Sequence, residues 1–222
     1  MKVFLRTYGC RANQYDSEAV TAMIVASGGE IVSNPAEADF AVFNSCTVTA
    51  AAEADLRADV RKAARDNPAI RSIVMGCAAG APARDERVSP LKTLPAVEAV
   101  VAGGDAGLVA SALGIRAAGA HTSRQTGARA LLRVQDGCDE HCTFCATTLS
   151  RGGNRSRLPD DIVEEAGQLA DAHPEIVITG IHIGTYGRDI GTSLSSLVEQ
   201  LISRVPDVRF RLTSIEATEV DG

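Results

Sequence analysis

The stretch that decides the fold is residues 131–145, which read LLRVQDGCDEHCTFC. Its apolar first half, within residues 129–135, predicts a buried strand that runs directly into a loop with Cys138, Cys142 and Cys145. Three thiols within eight residues can turn their sulfur atoms toward one point, and three thiolates leave one iron of a four-iron cluster without a protein ligand. The pattern therefore indicates a metal site with an open coordination position.

Two other interpretations of this loop are a zinc knuckle that lacks its fourth ligand and a chance arrangement of cysteines. His141 is badly placed between the ligands, and no second pair of cysteines follows. The iron-sulfur interpretation is therefore favoured.

Composition and charge bound the class of protein. The 222 residues suffice for one large or two modest domains, and 45% hydrophobic content without a long apolar run predicts no membrane span. The first residues, MKVFLRTYGCRANQ, lack the apolar core of a secretory peptide, so we expect a cytoplasmic protein. In that reducing compartment, six cysteines favour metal ligands or redox groups over disulfides. A net charge of −6 and 4% aromatic residues argue against an extensive nucleic-acid surface, although local basic patches can still bind phosphate.

The first half of the chain alternates strands with helices. Strands are predicted at residues 2–7, 39–44, 70–75 and 96–101, and helices at 16–27 and 50–66. Cys10, Cys46 and Cys77 each follow one of the first three strands. Because ligands of open α/β sheets bind beyond the carboxyl ends of the strands, we expect these thiols to converge as a separate set of metal ligands. Taken singly, each is more commonly a small buried residue.

The second half predicts another parallel sheet. Residues 114–128 are rich in Gly, Ala, Ser and Thr without hydrophobic period, which is typical of a linker, and the predicted domains are 1–118 and 129–222. After the linker, strands and helices alternate at residues 129–135, 159–172, 175–179, 194–203 and 208–213. A barrel built this way needs more strands to close its sheet, so we expect the chain to be truncated.

Further stretches extend the pattern of the cysteine loop. They are TYGCRANQYDSE, NSCTVTAAAE, MGCAAG, LLRVQDGC, RGGNRSR and EIVITGIHIGTYGRD. GCDEHCTFC is similar to the cluster motif of the radical S-adenosylmethionine (SAM) superfamily, and with the other stretches it resembles the radical SAM methylthiotransferases. VQDGCD and TGIHIGTYG are most similar to the branch that methylthiolates N6-threonylcarbamoyladenosine beside the anticodon of tRNA.

The resemblance implies an α/β fold in which an N-terminal parallel-sheet domain precedes an incomplete radical SAM (β/α) barrel. It implies SAM and two 4Fe-4S clusters as cofactors. The cysteines would form two ligand sets, Cys138, Cys142 and Cys145 for the cluster that binds SAM, and Cys10, Cys46 and Cys77 for the cluster that carries the sulfur to be inserted. One electron would cleave SAM to methionine and a deoxyadenosyl radical, which removes hydrogen from C2 of the adenine.

The resemblance also implies the groups that would surround SAM. They are Phe144 in the aromatic position of the motif, the backbone of Thr179, Gly180 and Ile181 near the amino group, and Arg211 and Ser214 near the carboxylate or ribose. A glycine after the strand would allow close backbone approach, and the alternative for Gly180 is an ordinary left-handed turn.

Two polar stretches adjoin the cysteines. Arg151, Arg155 and Arg157 would concentrate positive charge for a tRNA anticodon or an anionic cofactor group, and a solvated basic loop is the alternative. After Cys10, the sequence favours Asp16 or Ser17 as the cap of the helix; the alternative is that Asn13, Gln14, Asp16 and Glu18 tune the cluster on Cys10, Cys46 and Cys77.

The implied partners are the anticodon region of tRNA and an electron donor such as a flavodoxin or ferredoxin, with a monomeric chain and no membrane. Two other functions stay open: methylthiolation of a ribosomal protein aspartate by the same chemistry, and a non-catalytic iron-sulfur-binding fragment. A simple zinc protein would hold zinc and show no iron-sulfur absorption.

Overall fold

The computed structural model describes residues 1–47, 49–80, 91–116, 124–140, 142–143, 145–216 and 219. The chain divides into two compact units. The first comprises Met1–Ala120 with Cys142–Arg151, and the second comprises His121–His141 with Gly152–Gly222. The centre of the predicted linker, residues 117–123, lies outside the described residues, so the domain limits 1–118 and 129–222 stay a prediction.

A five-stranded parallel sheet forms the centre of the first unit. Its strands are β1 (Lys2–Thr7), β2 (Glu30–Val32), β3 (Phe40–Ser45), β4 (Arg71–Gly76) and β5 (Val97–Ala102). They lie in the order β2-β1-β3-β4-β5, and every neighbouring pair is parallel. All six residues of β3 are buried, as expected of a central strand that is covered on both faces.

Helices cover both faces of this sheet. The helices of this unit are α1 (Arg11–Ala26), α2 (Ala50–Asp66), α3 (Cys77–Gly80), α4 (Ala106–Ala112) and α5 (Thr147–Arg151). On one face, Val42 and Met75 belong to the same core as Ile24 of α1. On the other face, Phe43 packs in a core with Leu56 of α2. Because successive side chains of a strand point to opposite faces, one sheet supports two cores.

A smaller parallel sheet forms the centre of the second unit. The strands of this unit are β6 (Ala130–Arg133), β7 (Gln135–Asp136), β8 (Arg155–Ser156), β9 (Glu175–Thr179) and β10 (Arg209–Leu212). β10, β9 and β6 form the parallel sheet in that order, and β7 pairs with β8 in an antiparallel ribbon. The helices α6 (Pro159–Ala170) and α7 (Leu194–Arg204) share one core with the sheet.

The predicted α/β class with two parallel sheets is confirmed. β1, α2 and β9 have the predicted bounds, and β3, β4, β5 and β10 agree with the predicted strands to within one residue at each end. The predicted strand at 129–135 is divided into β6 and β7, because Gln135 leaves the parallel sheet to pair with Ser156. β2, β8, α3, α4 and α5 were not predicted, since such short elements carry little hydrophobic periodicity.

The start of α1 differs from the prediction. The helix begins at Arg11, five residues before the predicted start, with Cys10 at the N-cap position. The prediction that Asp16 or Ser17 caps it is therefore wrong, because both lie inside the helix. Asn13, in the added turn, is fully buried and bonds to Asn44 of β3, so tertiary contacts extend the helix beyond its apolar pattern.

The longest helices that the structure describes, α1 and α2, have 16 and 17 residues. Over the described ranges of the chain, no helix combines the length and the apolar character that crossing a bilayer requires.

Replacement of Gly76 tests how closely β4 approaches β3. Its φ is +94°, and a Cβ added there would collide with the Ser45 carbonyl oxygen and lie 2.5 Å from Oδ1 of Asn44. We expect Gly76→Ala to lower the free energy of unfolding by about 3 kcal/mol or more, because left-handed strain and a backbone collision add. Urea unfolding followed by circular dichroism measures this.

The matched control is Gly28→Ala. Gly28 has a φ of +80°, but a Cβ there would meet nothing within 4 Å. This variant should lose only about 1 kcal/mol from conformational strain. Equal losses in the two variants would contradict the close approach at Gly76.

Candidate metal centre

Three cysteines follow three neighbouring strands of the first unit. Cys10 lies three residues after β1, Cys46 directly after β3, and Cys77 directly after β4 as the first residue of α3. β1, β3 and β4 are adjacent in the sheet. The parallel register pairs Thr7 with Asn44 and Ser45 with Gly76, so the three strands end at nearly the same level. The cysteines therefore lie at one edge of the sheet, as predicted.

The thiols of this edge lie close enough to influence one another. A Cβ on Gly9, next to Cys10, would lie 2.8 Å from Sγ of Cys46, so the two loops are in direct contact. Burial raises the pKa of the Cys77 thiol above its ordinary value; the Arg151 guanidinium opposes this increase, and negative charge on Cys10 and Cys46 adds to it. The edge thus gathers three thiols and one cation.

Buried amide and hydroxyl groups fix the loops beneath the thiols. Nδ2 of Asn13 donates to Oδ1 of Asn44 and to the Ser45 carbonyl oxygen, both at 2.8 Å. Nδ2 of Asn44 donates in return to the Asn13 carbonyl oxygen at 2.7 Å. Sγ of Cys10 lies 3.3 Å from Oδ1 of Asn13, and the Ser45 hydroxyl accepts the N–H of Ala78 at 3.1 Å. Each of the three cysteine loops is therefore tied to this network.

A buried ion pair adjoins Cys77. Nη2 of Arg151 lies 2.8 Å from Oδ2 of Asp16, and both side chains are fully buried. Nε of Arg151 donates to Sγ of Cys77 at 3.3 Å. One planar guanidinium group thus contacts a carboxylate and a thiol together.

The donor chemistry at this edge suits an iron-sulfur cluster. Among the described residues, no group of three or more His, Cys, Asp or Glu side chains has the arrangement that would hold a single metal ion. The thiolates of a four-iron cluster bind different iron atoms, so their sulfur atoms stand farther apart than the ligands of one ion. Three thiolates from three separate loops are a donor set that an iron-sulfur cluster accepts, and the assignment of a cluster to this edge stays a prediction.

The second cysteine set, Cys138, Cys142 and Cys145, is divided between the two units, and each part is described in its own unit. In the second unit, the N–H of Cys138 donates to the Gly152 carbonyl oxygen at 3.1 Å, and its Sγ lies 3.8 Å from Nδ1 of His182. In the first unit, Cys142 and Cys145 are exposed, and the N–H of Cys145 donates to the Cys142 carbonyl oxygen at 3.1 Å. Phe144 lies outside the described residues, and the shared ligand role of the three thiols stays a prediction.

Gln135 holds the loop after β9 in the second unit. Its buried Oε1 accepts the N–H groups of Ile181 and His182, each at 3.0 Å. Its Nε2 donates to the Gly137 carbonyl oxygen and, at 2.6 Å, to Oδ1 of Asn154. One amide therefore joins the approach to the cysteine loop with the loop where SAM contacts are expected.

The amide of Gln135 leaves no room for a side chain at position 180. A Cβ there would lie 2.9 Å from both the carbonyl oxygen and Oε1 of Gln135. The residue does not have a positive φ, so the alternative of a left-handed turn is wrong. A side chain of the protein thus approaches Gly180 closely, and contact of the Gly180 backbone with SAM stays a prediction.

The other predicted SAM contacts are placed as follows. Thr179 is buried at the end of β9, and its carbonyl oxygen accepts the N–H of Val134 at 3.0 Å. Ser214 follows β10 and has a φ of +61°, a backbone conformation that non-glycine residues rarely adopt. Arg211 donates from Nε to Oε1 of Glu175 at 2.8 Å, at the amino end of β9. Contact of these residues with SAM stays a prediction.

The three arginines of RGGNRSR have different environments. Arg151 is buried against Asp16, so its assignment to a basic surface for tRNA is wrong. Nη1 of Arg157 is 2.6 Å from Oε2 of the buried Glu165. Arg155 has a side chain that is 60% exposed, which agrees with a cation that faces solvent.

Sequence reasoning missed the structural importance of Gln135, Asn44 and Arg151. A signal existed for the first two, since each is an amide within or at the end of an otherwise apolar strand segment, where a buried polar side chain needs partners. Arg151 gave no such signal, because its partner Asp16 is 135 residues away in the chain.

Comparison with protein families matches both halves of the chain. Residues 132–218 match the Radical SAM superfamily, and residues 2–101 match a family described as Uncharacterized protein family UPF0004. The chain therefore carries a radical SAM domain preceded by a UPF0004 domain.

Curated relatives match nearly the whole chain. Threonylcarbamoyladenosine tRNA methylthiotransferase MtaB of Bacillus subtilis is 34% identical, over 98% of this chain and 52% of its own length. Threonylcarbamoyladenosine tRNA methylthiotransferase of Mus musculus is 31% identical, over 93% of this chain and 38% of its own length. Ribosomal protein uS12 methylthiotransferase RimO of Roseiflexus sp. is 32% identical, over 95% of this chain and 52% of its own length. The chain belongs to the radical SAM methylthiotransferase family, and it spans about half the length of the curated relatives it matches, or less.

Replacement of Gln135 tests its role in the loop after β9. Gln135→Ala leaves the N–H groups of Ile181 and His182 without their acceptor. We expect the amide hydrogens of these two residues to exchange about tenfold faster or more, because an unpaired buried amide costs about 1–3 kcal/mol. Hydrogen exchange followed by mass spectrometry or NMR measures this.

Gln168→Ala is the control for this exchange measurement. Gln168 lies on α6, and its Nε2 contacts only Glu164, at 3.5 Å, among the bonds described for it. The exchange of Ile181 and His182 should be unchanged in this variant. Unchanged exchange in Gln135→Ala as well would contradict the assigned role.

Proposed function

We propose that this chain acts as part of a tRNA methylthiotransferase, which inserts a methylthio group at C2 of N6-threonylcarbamoyladenosine next to the anticodon by a radical SAM mechanism. The observation that carries the proposal is the edge of the first unit, where three cysteines follow three adjacent parallel strands. A second cysteine set, with the spacing of the radical SAM cluster motif, lies farther along the same chain. The names of the Bacillus subtilis and Mus musculus relatives support the tRNA substrate.

The six cysteines have two tasks in this proposal. They would hold two 4Fe-4S clusters, one on Cys10, Cys46 and Cys77 and the other on Cys138, Cys142 and Cys145. When bound, the clusters and SAM supply the electron, the carbon radical and the sulfur of the methylthio group. Two sets of three thiolates leave one open iron in each cluster, which matches the need for one site for SAM and one for sulfur.

The other residues of the two sites bind and orient. Asn13, Asn44 and Ser45 hold the cysteine loops of the first unit through bonds that are already made. In the second unit, Gln135 engages the N–H groups of Ile181 and His182. The acceptors for the amino group of SAM would therefore be backbone carbonyl oxygens of Gly180 and Ile181, because an ammonium group only donates.

The proposed electron donor, substrate and cellular location of the enzyme follow from the same chemistry. The electron would come from a donor such as a flavodoxin or ferredoxin, and the substrate would be the anticodon region of a tRNA. Exposed Arg155 is suited to contact phosphate. We place the enzyme in the cytoplasm as a monomer, where a reducing environment keeps the six thiols available.

One observation favours a second candidate function. The relative named ribosomal protein uS12 methylthiotransferase is 32% identical over 95% of this chain, comparable with the tRNA relatives. Methylthiolation of a ribosomal protein aspartate would use the same two cysteine sets.

Anaerobic reconstitution tests the cluster assignment. We expect the chain to bind about eight irons, and about four in each of the triple variants Cys10→Ala/Cys46→Ala/Cys77→Ala and Cys138→Ala/Cys142→Ala/Cys145→Ala. Only the chain with the second cysteine set intact should release deoxyadenosine from SAM on reduction. Bound zinc without iron-sulfur absorption would refute the cluster assignment, and iron without deoxyadenosine release would favour the non-catalytic alternative.

A nucleoside analysis decides between the two substrates. Cells that lack the gene should lose methylthio-threonylcarbamoyladenosine from their tRNA, as measured by mass spectrometry, while the ribosomal protein keeps its modification. Unchanged tRNA together with an unmodified ribosomal protein would reverse the assignment.

A further inference from the structure

Arg151 contacts one of the proposed cluster ligands from inside the protein. Its Nε donates to Sγ of Cys77 at 3.3 Å, and its Nη2 lies 2.8 Å from Oδ2 of Asp16. The side chains of Arg151 and Asp16 have no exposed surface. A charge in such surroundings is costly unless it is paired, so the guanidinium is held between its two partners rather than free to move.

The surroundings of the ion pair are shaped for it. A Cβ on Gly104 would collide with the carboxylate of Asp16, and a Cβ on Gly80 would collide with the carbonyl oxygen of Ser150, the residue before Arg151. These two glycines therefore let α1 and α5 approach the neighbouring backbone. The position of the guanidinium beside Cys77 is set by packing on both sides.

We propose that Arg151 is a positioning residue that raises the reduction potential of the cluster on Cys10, Cys46 and Cys77, an inference that rests on the proposed function. Reduction adds one electron, and hence one negative charge, to the cluster. A cation and an N–H donor at a ligand sulfur stabilise the more negative state, and they do so strongly where water is excluded. Asp16 opposes part of this effect and holds the guanidinium in place.

Arg151 also belongs to the same chain segment as two ligands of the other proposed cluster. Cys142–Arg151 is part of the first compact unit, and Arg151 is its last residue. The bond to Cys77 therefore ties the end of the segment that carries Cys142 and Cys145 to the first cysteine set. One side chain thus serves both the electronic state of the first cluster and the anchoring of this segment.

The test measures the first cluster alone, in the 222-residue chain with Cys138→Ala/Cys142→Ala/Cys145→Ala. After anaerobic reconstitution, the cluster is reduced by one electron from dithionite at known potentials, and the electron paramagnetic resonance signal of the reduced form gives the midpoint. Arg151→Gln should disfavour reduction about tenfold or more, a shift of about 59 mV toward negative potential. Arg151→Lys keeps the charge without the planar fork and should lie between the two.

The variant Asp16→Asn distinguishes an electrostatic effect on the midpoint potential from an effect of structural disruption. It removes the buried anion and leaves the guanidinium, so the midpoint should move in the opposite direction, toward positive potential. Adding Arg151→Gln in this background removes the second charge without leaving an unpaired carboxylate, and the midpoint should fall again. Comparison of Asp16→Asn with Asp16→Asn/Arg151→Gln therefore measures the effect of Arg151 on the midpoint potential even if Arg151→Gln alone fails to fold.

Arg65→Gln is the matched control, since it removes an exposed positive charge from the same unit and should leave the midpoint unchanged. Midpoints that do not differ among the Arg151 and Asp16 variants would overturn the inference while the cluster assignment stands. Absence of iron from the starting chain would overturn the cluster assignment and this inference together. Shifts of the same sign in Arg151→Gln and Asp16→Asn would indicate structural damage and would also overturn the inference.

Discussion

The constraint on which the first unit depends is the common level at which three adjacent parallel strands end. In a parallel sheet the carboxyl ends of all strands lie at one edge. Residues that follow different strands are therefore brought close together even when they are far apart in the sequence. Cys10, Cys46 and Cys77 use this geometry, and the registers between β1, β3 and β4 bring their loops to the same level. The position of the candidate metal centre thus follows from the sheet rather than from any single loop.

A buried polar layer maintains that edge. Asn13, Asn44 and Ser45 satisfy one another and the adjoining backbone, so polar groups are placed in the core without the cost of an unpaired donor or acceptor. The ion pair of Asp16 and Arg151 extends the layer toward Cys77. Buried pairs of this kind contribute little net stability, but the loss of one partner costs about 3–5 kcal/mol, so they favour one arrangement of the loops over others.

The second unit uses a buried amide in a comparable place. Gln135 follows β6 and engages the loop after β9, so that two neighbouring strand ends are joined by one side chain. The lack of a Cβ at Gly180 makes room for this amide. In both units, the carboxyl edge of the sheet is therefore ordered by amide groups that accept and donate at the same time.

The sequence by itself determined the α/β class, most strand positions, the two cysteine sets and the family resemblance. These follow from local hydrophobic periodicity and from motif spacing, which need no knowledge of distant contacts. It did not determine the early start of α1, the division of the strand at Gln135 or the burial of Arg151. Only the tertiary structure decided these, because each depends on a partner far away in the chain: Asn44 for Asn13, Ser156 for Gln135 and Asp16 for Arg151. A charged or amide side chain looks the same in sequence whether it faces water or a buried partner, and packing alone decides between the two.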